Sequence, residues 1–145
     1  MDRIAFRRNI TIHLKETDAT GVIYFAEQLR MAQETLEFFL AQNHLPLGRI
    51  LKEEPFFLPV VHAEADYIAP IFVGDELEIE LKVEAIGSSS FTLGFTYLRQ
   101  QVLVGKAQLI HVTVNKETRR PMPIPEKLRT ILVGVQEAVG SQREP

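Results

Sequence analysis

Alternating hydrophobic and polar residues near the start of the chain predict a first β-strand over residues 4–14. Ile10, Ile12 and Leu14 occupy every second position there, and polar side chains lie between them. This period of two is typical of a strand with one buried face. A polar loop, residues 15–21, follows it.

From residue 22 to about residue 43 the period becomes three and four, which predicts a long α-helix. One apolar stripe of this helix contains Phe25, Leu29, Ala32, Leu36 and Phe39. Tyr24, Phe38 and Leu40 widen the stripe, so we expect the helix to be enclosed on more than one side. A helix of this length spans ~33 Å. It ends before Pro46, which cannot continue a helix.

The pattern in the second half of the chain predicts four strands. Residues 57–68 are extended, and Pro59 places the start of this strand at an edge or a bend. Residues 74–75 form a turn that leads into a cleanly alternating strand. Its apolar positions are Leu77, Ile79, Leu81 and Val83. A second turn, residues 87–90, leads to the next strand, whose alternating residues are Phe91, Leu93, Phe95 and Tyr97.

The last part of the chain closes the predicted sheet. Gln100 and Gln101 form a hairpin that leads into a strand over residues 102–114. The proline-rich segment, residues 121–125, breaks the sheet. The apolar positions after it predict a short amphipathic C-terminal helix. They are Leu128, Ile131, Leu132, Val135 and Val139.

This order of elements predicts an α+β fold in a single domain, residues 1–145. A curved antiparallel sheet of five or six strands, wrapped around one long helix, buries both the helix and the apolar faces of the hairpins. The edge strands of such a sheet would stay open. Pairing two chains edge to edge would cover them, so we expect at least a homodimer.

Composition excludes several classes of protein. Apolar residues make up 46% of the chain and charged residues 24%, which is the balance of a globular domain. The net charge is −3, which argues against a nucleic-acid-binding protein. The chain has no cysteine, and therefore no disulfide, thiolate metal site or cysteine nucleophile. A signal peptide and an apolar run of membrane-spanning length are both missing from the sequence, so we expect a cytoplasmic protein without a membrane partner.

The polar loop before the helix is the most informative place for chemistry. Backbone N–H groups at a helix start have no partner within the helix and would stabilise a developing oxyanion. Gly21 would let a substrate carbonyl approach the backbone. Asp18 could attack an acyl carbon or activate a water molecule. The same residues are also common helix caps, and the loop alone does not separate the two interpretations.

Residues 16–25, ETDATGVIYF, resemble the signature of the 4-hydroxybenzoyl-CoA thioesterase family, which has the hotdog fold. Later segments agree in order and spacing. They are VVHAEADY at residues 60–67 with Pro70 after it, GDEL at 74–77, SSF at 89–91 and PMPIP at 121–125. The resemblance covers about nine-tenths of the chain.

This resemblance implies roles for particular residues. Asp18 would be the catalytic carboxylate, and the backbone N–H of Phe25 would face the thioester oxygen. Gly21 and Tyr24 would shape the opening. In the family the acyl pocket lies between two subunits. Val61 and His62 would line the site of the neighbouring subunit, and Ser90 would also belong to the substrate pocket. The resemblance implies an acyl-CoA substrate and no cofactor or metal.

The Asp-x-x-Gly-Val-x-Tyr-Phe form is most similar to the cyanobacterial members that hydrolyse 1,4-dihydroxy-2-naphthoyl-CoA in phylloquinone or menaquinone synthesis. We therefore expect an aromatic acyl-CoA substrate, and a dimer or a tetramer of paired dimers. Two alternatives stay open. The first is a thioesterase for short- or medium-chain acyl-CoA or acyl-carrier-protein, and the second is a non-catalytic subunit that only binds acyl groups.

Three other groups of residues are candidate sites. His62 and Glu64 share a strand face and, with His111, could hold a metal, but no metal motif supports them. Residues 88–90 offer three serine hydroxyls without the G-x-S-x-G elbow of a serine hydrolase, so a turn explains them. A loose basic group near the tail either clamps coenzyme A phosphates or, as we prefer, is a solvated surface. It consists of Lys116, Arg119, Arg120, Lys127 and Arg129.

Overall fold

The structure is a computed structural model that describes the backbone of residues 4–143 and the side chains of residues 4–136. Within this range the strands are β1 Phe6–Thr11, β2 Phe56–Phe57, β3 Val60–Tyr67, β4 Glu76–Ile86, β5 Ser90–Arg99, β6 Val102–Val112 and β7 Val114–Asn115. The helices are α1 Glu27–Gln42, α2 Leu47–Glu53 and α3 Glu126–Arg143, with a 3-10 turn at Leu14–Glu16.

Five of these strands form one antiparallel sheet in the order β1-β4-β5-β6-β3. The two hairpins β4-β5 and β5-β6 make its centre, as their alternating patterns predict. The strand β3 reaches the far edge through a crossover, because it pairs with β6 and not with its sequence neighbour β4. The short strands β2 and β7 pair separately. The predicted α+β hotdog arrangement is confirmed.

The core lies between the sheet and α1. The predicted apolar face of β4 is fully buried, with Leu77, Ile79 and Leu81 at most 1% exposed. The helix contributes its buried stripe to the same core. The stripe contains Gln28, Met31, Ala32, Thr35, Leu36, Phe39 and Leu40. From the C-terminal helix, Leu128 and Leu132 pack into the core, whereas the side chain of Val139 lies outside the described residues.

The helix α1 differs from its prediction in two ways. It begins at Glu27, because Val22 and Ile23 form isolated β-bridges with Phe72 and Thr17 instead of a first helical turn. Its 16 residues span about 24 Å at 1.5 Å per residue. Only one stripe is buried within the chain, and Phe38 is 52% exposed, so the helix is not enclosed on more than one side.

The short helix α2 was not predicted. It is seven residues long and buries Ile50 as its apolar anchor. Among the helices in residues 4–143, none has the length and apolar content needed to cross a membrane.

Candidate active site

The loop that carries Asp18 is closed on itself by backbone hydrogen bonds. The Asp18 N–H donates to the Val22 carbonyl at 3.0 Å, and the Gly21 N–H donates to the Asp18 carbonyl at 3.1 Å. Gly21 has a φ of +81°, a left-handed backbone conformation that residues with a Cβ rarely adopt. The role of Gly21 here is therefore conformational, since a Cβ at this position would meet nothing within 4 Å.

The Asp18 carboxylate is exposed and oriented by Thr20. Its Oδ1 accepts hydrogen bonds from the Thr20 N–H at 2.8 Å and from the Thr20 hydroxyl at 2.5 Å. These bonds, first that of the hydroxyl and then that of the N–H, lower the pKa of Asp18 below its ordinary value of 3.8. The backbone N–H groups of Asp18 and Val22 lower this pKa further. Asp18 is therefore ionised at neutral pH.

The turn in front of α1 presents an unpaired amide group. The Tyr24 N–H donates to the Glu16 carbonyl at 2.8 Å, and the Glu27 N–H donates to the Tyr24 carbonyl at 2.9 Å. Between them, the Phe25 N–H has no hydrogen-bond partner within residues 4–143. An unpaired backbone N–H of this kind is able to donate a hydrogen bond to an oxyanion.

Two expectations for Tyr24 and Phe25 need correction. Both residues lie in a turn and not inside the helix, because α1 begins at Glu27. Phe25 therefore does not belong to the buried stripe. Its side chain is 64% exposed, and that of Tyr24 is 46% exposed. The two rings contact each other at a centroid distance of 4.7 Å, so the turn offers an open aromatic surface.

Glu16 is a buried carboxylate that contacts residues before and after this turn. Its Oε1 accepts the His13 N–H at 2.7 Å, and its Oε2 lies 3.9 Å from the Arg30 guanidinium. Arg30 also binds Glu27 at 2.6 Å. The loop and the first turn of α1 are thus joined by side chains as well as by the backbone. A cavity of about 280 Å³, lined in part by His13, Glu16 and Arg30, opens beside this network.

The other predicted pocket residues lie at the opposite end of the sheet. Val61 and His62 are at the start of β3, and Ser90 begins β5. The start of β3 is level with the start of β5, because Val60 and Phe91 both pair with His111. The end of β3 lies beside the Asp18 loop, since the Tyr67 hydroxyl bonds the Phe25 carbonyl. Within one chain, the Asp18 loop and Phe25 lie together at one end of β3, and Val61, His62 and Ser90 lie together at the other end. A single chain does not bring these two groups into one site.

His62 lies on the sheet face opposite α1. Strand alternation places it with Glu64 and Asp66, and its Nε2 is 3.0 Å from the Glu64 Oε1. His111 lies on the inner face, fully buried, with Nδ1 3.1 Å from the Leu58 carbonyl. These two histidines therefore do not form one site, and the described residues contain no group of three or more potential ligands placed to hold a metal.

Most of the basic side chains near the C-terminus contact other residues of the same chain. Lys116 donates to the Ile50 and Leu51 carbonyls, Lys127 pairs with Glu54 at 2.9 Å, and Arg129 donates to the Gly87 carbonyl. Arg119 lies over the Phe57 ring. This arrangement favours a structural surface over a phosphate clamp. Residues 87–90 form the predicted hairpin turn, with the Gly87 N–H bonded to the Ser90 carbonyl.

Four residues that shape this site were not predicted from the sequence: Thr20, Glu16, Gln28 and Tyr67. Only Gln28 had a visible signal, as a polar residue on the apolar side of a helix. It is fully buried, and its Nε2 donates to the Asp66 and Lys106 carbonyls, both at 2.9 Å. The others depend on contacts between distant segments or, for Thr20, on loop geometry.

The antiparallel sheet over one long helix is the hotdog architecture, and the aspartate loop before that helix fits an acyl-thioester enzyme of this class. The chain belongs to the Thioesterase-like superfamily, whose family model matches residues 12–132. Two curated relatives are similar over most of their length. The 1,4-dihydroxy-2-naphthoyl-CoA hydrolase of Microcystis aeruginosa is 35% identical over 81% of this chain and 86% of its own. The hydrolase of the same name from Synechococcus elongatus is 37% identical over 81% of this chain and 88% of its own.

A solved structure agrees with this assignment. The crystal structure of a 1,4-dihydroxy-2-naphthoyl-CoA thioesterase from Synechocystis superposes with a TM-score of 0.84 and 31% identity. It covers 88% of this chain and 95% of its own. The predicted family and hotdog fold are confirmed.

Proposed function

We propose that this chain hydrolyses the thioester bond of an aromatic acyl-CoA, with 1,4-dihydroxy-2-naphthoyl-CoA as the specific substrate. One observation carries the proposal: an ionised carboxylate, Asp18, lies on a loop closed by the Thr17–Ile23 bridge, and an unpaired amide, Phe25 N–H, follows two residues after that bridge. The names of the relatives point to the same substrate. The rings of Tyr24 and Phe25 offer an aromatic surface beside this loop.

Two routes use the same geometry. In the first, an Asp18 oxygen attacks the acyl carbon, the carbon–sulfur bond breaks, and the coenzyme A thiolate takes up a proton. Water then hydrolyses the resulting anhydride, which releases the acid and restores the carboxylate. In the second, Asp18 accepts a proton from a water molecule that attacks the acyl carbon, the carbon–sulfur bond breaks to release the acid, and Asp18 returns the proton to the departing coenzyme A thiolate. The lowered pKa of Asp18 favours the first route, because it keeps the carboxylate ionised and makes it a weak base.

The site needs a second copy of the chain. Asp18 is exposed in the single chain, and the pocket residues Val61 and Ser90 lie at the other end of the sheet. The strand β3 is an edge strand, exposed at nearly all of its positions. An antiparallel pairing of two β3 edges around a two-fold axis would place the start of each β3 beside the end of the other. The proposed pocket would then contain Asp18 from one subunit and Val61 from its partner.

The test is hydrolysis of a panel of thioesters by the purified chain and its Asp18→Asn variant. We expect a preference for dihydroxynaphthoyl-CoA over aliphatic acyl-CoA and acyl-carrier-protein substrates. Removing the carboxylate charge should lower kcat by roughly 10³-fold or more, as for loss of a nucleophile or its base. Glu53→Gln, an exposed carboxylate on α2, is the matched control. Full activity of the Asp18→Asn protein would refute the mechanism.

The panel also separates the alternatives. Preference for a short or medium aliphatic chain would favour the second enzymatic interpretation. Saturable acyl-CoA binding without turnover would favour a non-catalytic subunit. Single-turnover hydrolysis in ¹⁸O-water distinguishes the two routes, because only an anhydride intermediate transfers label into Asp18. The cytoplasmic location remains a prediction.

A further inference from the structure

An exposed tyrosine at the end of β3 contacts the backbone of the proposed oxyanion site. The Tyr67 hydroxyl donates to the Phe25 carbonyl at 2.6 Å, across 42 residues of sequence. Tyr67 is 51% exposed, so the core does not hold its ring. Neither route of hydrolysis described above uses this hydroxyl. The two routes therefore do not account for its hydrogen bond to Phe25, the residue whose N–H is unpaired.

The backbone beneath Tyr67 is firmly anchored. Tyr67 is in register with Gly105 on β6, and the next two amides, Ile68 N–H and Ala69 N–H, both donate to the Val104 carbonyl at 3.1 Å. The buried Gln28 side chain bonds the Asp66 carbonyl on one side and the Lys106 carbonyl on the other. The end of β3 and the first turn of α1 are thus one connected unit, so Tyr67 can act as a fixed support.

Two hydrogen bonds fix the peptide planes on either side of Phe25. The Glu27 N–H holds the Tyr24 carbonyl, which belongs to the same peptide group as the Phe25 N–H. The Tyr67 hydroxyl holds the Phe25 carbonyl, which belongs to the next peptide group. The Phe25 N–H lies in the first of these planes, and the backbone torsion angles of Phe25 join it to the second. Among the described residues, the Tyr67 hydroxyl is the only partner of the Phe25 carbonyl, so without it the second plane loses its own hydrogen bond in an exposed turn.

We propose that Tyr67 is a positioning residue for thioester hydrolysis, which acts by fixing the Phe25 amide toward the thioester oxygen. This inference rests on the proposed function. Preorganised donors stabilise a developing oxyanion because they need no reorientation as the charge forms. A fixed Phe25 amide contributes to the transition state more than to substrate binding. Loss of the support should therefore appear in kcat.

The test is the Tyr67→Phe variant of the full chain, with dihydroxynaphthoyl-CoA as the substrate. We expect kcat to fall by about 5- to 20-fold, less than the 10²–10³ found when an oxyanion donor itself is lost. KM should stay within about two-fold of the parent value, since the hydroxyl is not expected to bind the ground state. The melting temperature and the mass in sedimentation should not change.

The matched control is Thr96→Val. It also deletes a hydroxyl that makes a hydrogen bond, to Glu80 at 3.0 Å, but on the sheet face opposite α1. We expect it to keep the parent kcat. An unchanged kcat for Tyr67→Phe would overturn the inference, and so would a loss that matches a fall in folded, assembled protein. If the parent itself hydrolyses none of the thioesters, the proposed function fails, which is a different result.

Discussion

At the scale of single residues, Thr20 controls the charge of Asp18 in acid. Its hydroxyl and its N–H both donate to the carboxylate and stabilise the ionised form. The lowered pKa of Asp18 means that its charge is lost only below the range of an ordinary aspartate. Near neutral pH the carboxylate should therefore not titrate.

We predict that Thr20→Val raises the pKa of Asp18, because the hydroxyl bond, its largest stabilising contact, is removed. The acid limb of the kcat/KM profile should then move to higher pH, while kcat/KM near pH 8 changes little. Thr130→Val, an exposed threonine on α3, is the control. An acid limb at the same pH in both variants would show that Asp18 does not govern the profile.

His111 makes stability depend on pH. It is fully buried, stacks on Phe91 at a centroid distance of 5.2 Å, and its Nε2 has no partner in the described part of the chain. Burial lowers the pKa of His111 below 6.5, so the folded protein holds the ring neutral. The unfolded chain takes up this proton near pH 6.5 and the folded chain does so only at lower pH. Stability is therefore full above about pH 6.5 and falls as the pH drops below it.

We predict that His111→Asn removes this component of the pH dependence. The Asn amide can still donate to the Leu58 carbonyl, but it does not titrate. Urea unfolding at pH 8 and pH 5 should show a smaller loss of unfolding free energy for the variant than for the parent. An equal loss in both proteins would assign the acid sensitivity to other groups.

At the scale of elements, two strand glycines should respond differently to a methyl group. A Cβ at Gly105 would lie 2.8–2.9 Å from three atoms of Gln28, which is buried and bonded to two strands. A Cβ at Gly94 would collide with the end of the Glu84 side chain on the opposite sheet face. Glu84 is exposed, so its side chain can change rotamer and avoid the new methyl group. Gln28 is buried and hydrogen-bonded, so its side chain cannot move in this way.

We predict that Gly105→Ala lowers the free energy of unfolding by roughly 1–3 kcal/mol, the usual cost of overpacking. Gly94→Ala should be within about 0.5 kcal/mol of the parent, because the exposed Glu84 side chain that covers Gly94 can move away from the new methyl group. Chemical denaturation measures both changes. Similar stabilities for the two variants would mean that Gln28 is not held as tightly as its contacts indicate.

The elements also show what the sequence could and could not predict. The strands β4 and β5 were predicted well, since every second residue is buried and the pattern is local. The start of α1 was predicted five residues early, because Val22 and Ile23 are apolar for a different reason: they pack against the core from a loop that is bridged to Phe72 and Thr17. Asp18 was identified through the family motif. Its partner Thr20 and the Tyr67 contact depend on three-dimensional geometry that a pattern of apolar positions does not contain.

At the scale of the whole molecule, the two groups of predicted site residues lie at opposite ends of β3. Asp18 and the Phe25 turn adjoin its end, and Val61 and Ser90 adjoin its start. The edge of β3 carries exposed apolar residues such as Val60, Val61 and Tyr67. An exposed edge strand of this kind readily pairs with another strand. A two-fold pairing is the simplest arrangement that covers the edge and unites both groups.

Mixing two inactive variants tests this arrangement. Asp18→Asn removes the carboxylate, and Val61→Trp fills the proposed pocket of the partner subunit. In a mixed dimer, one site carries both defects and the other carries neither. After dissociation and reassembly of equal amounts, half of the dimers are mixed, so the mixture should regain about a quarter of the parent activity. Sedimentation of each variant shows that assembly is intact. If Asp18 and Val61 served a site within one chain, the mixture would stay as inactive as its two components.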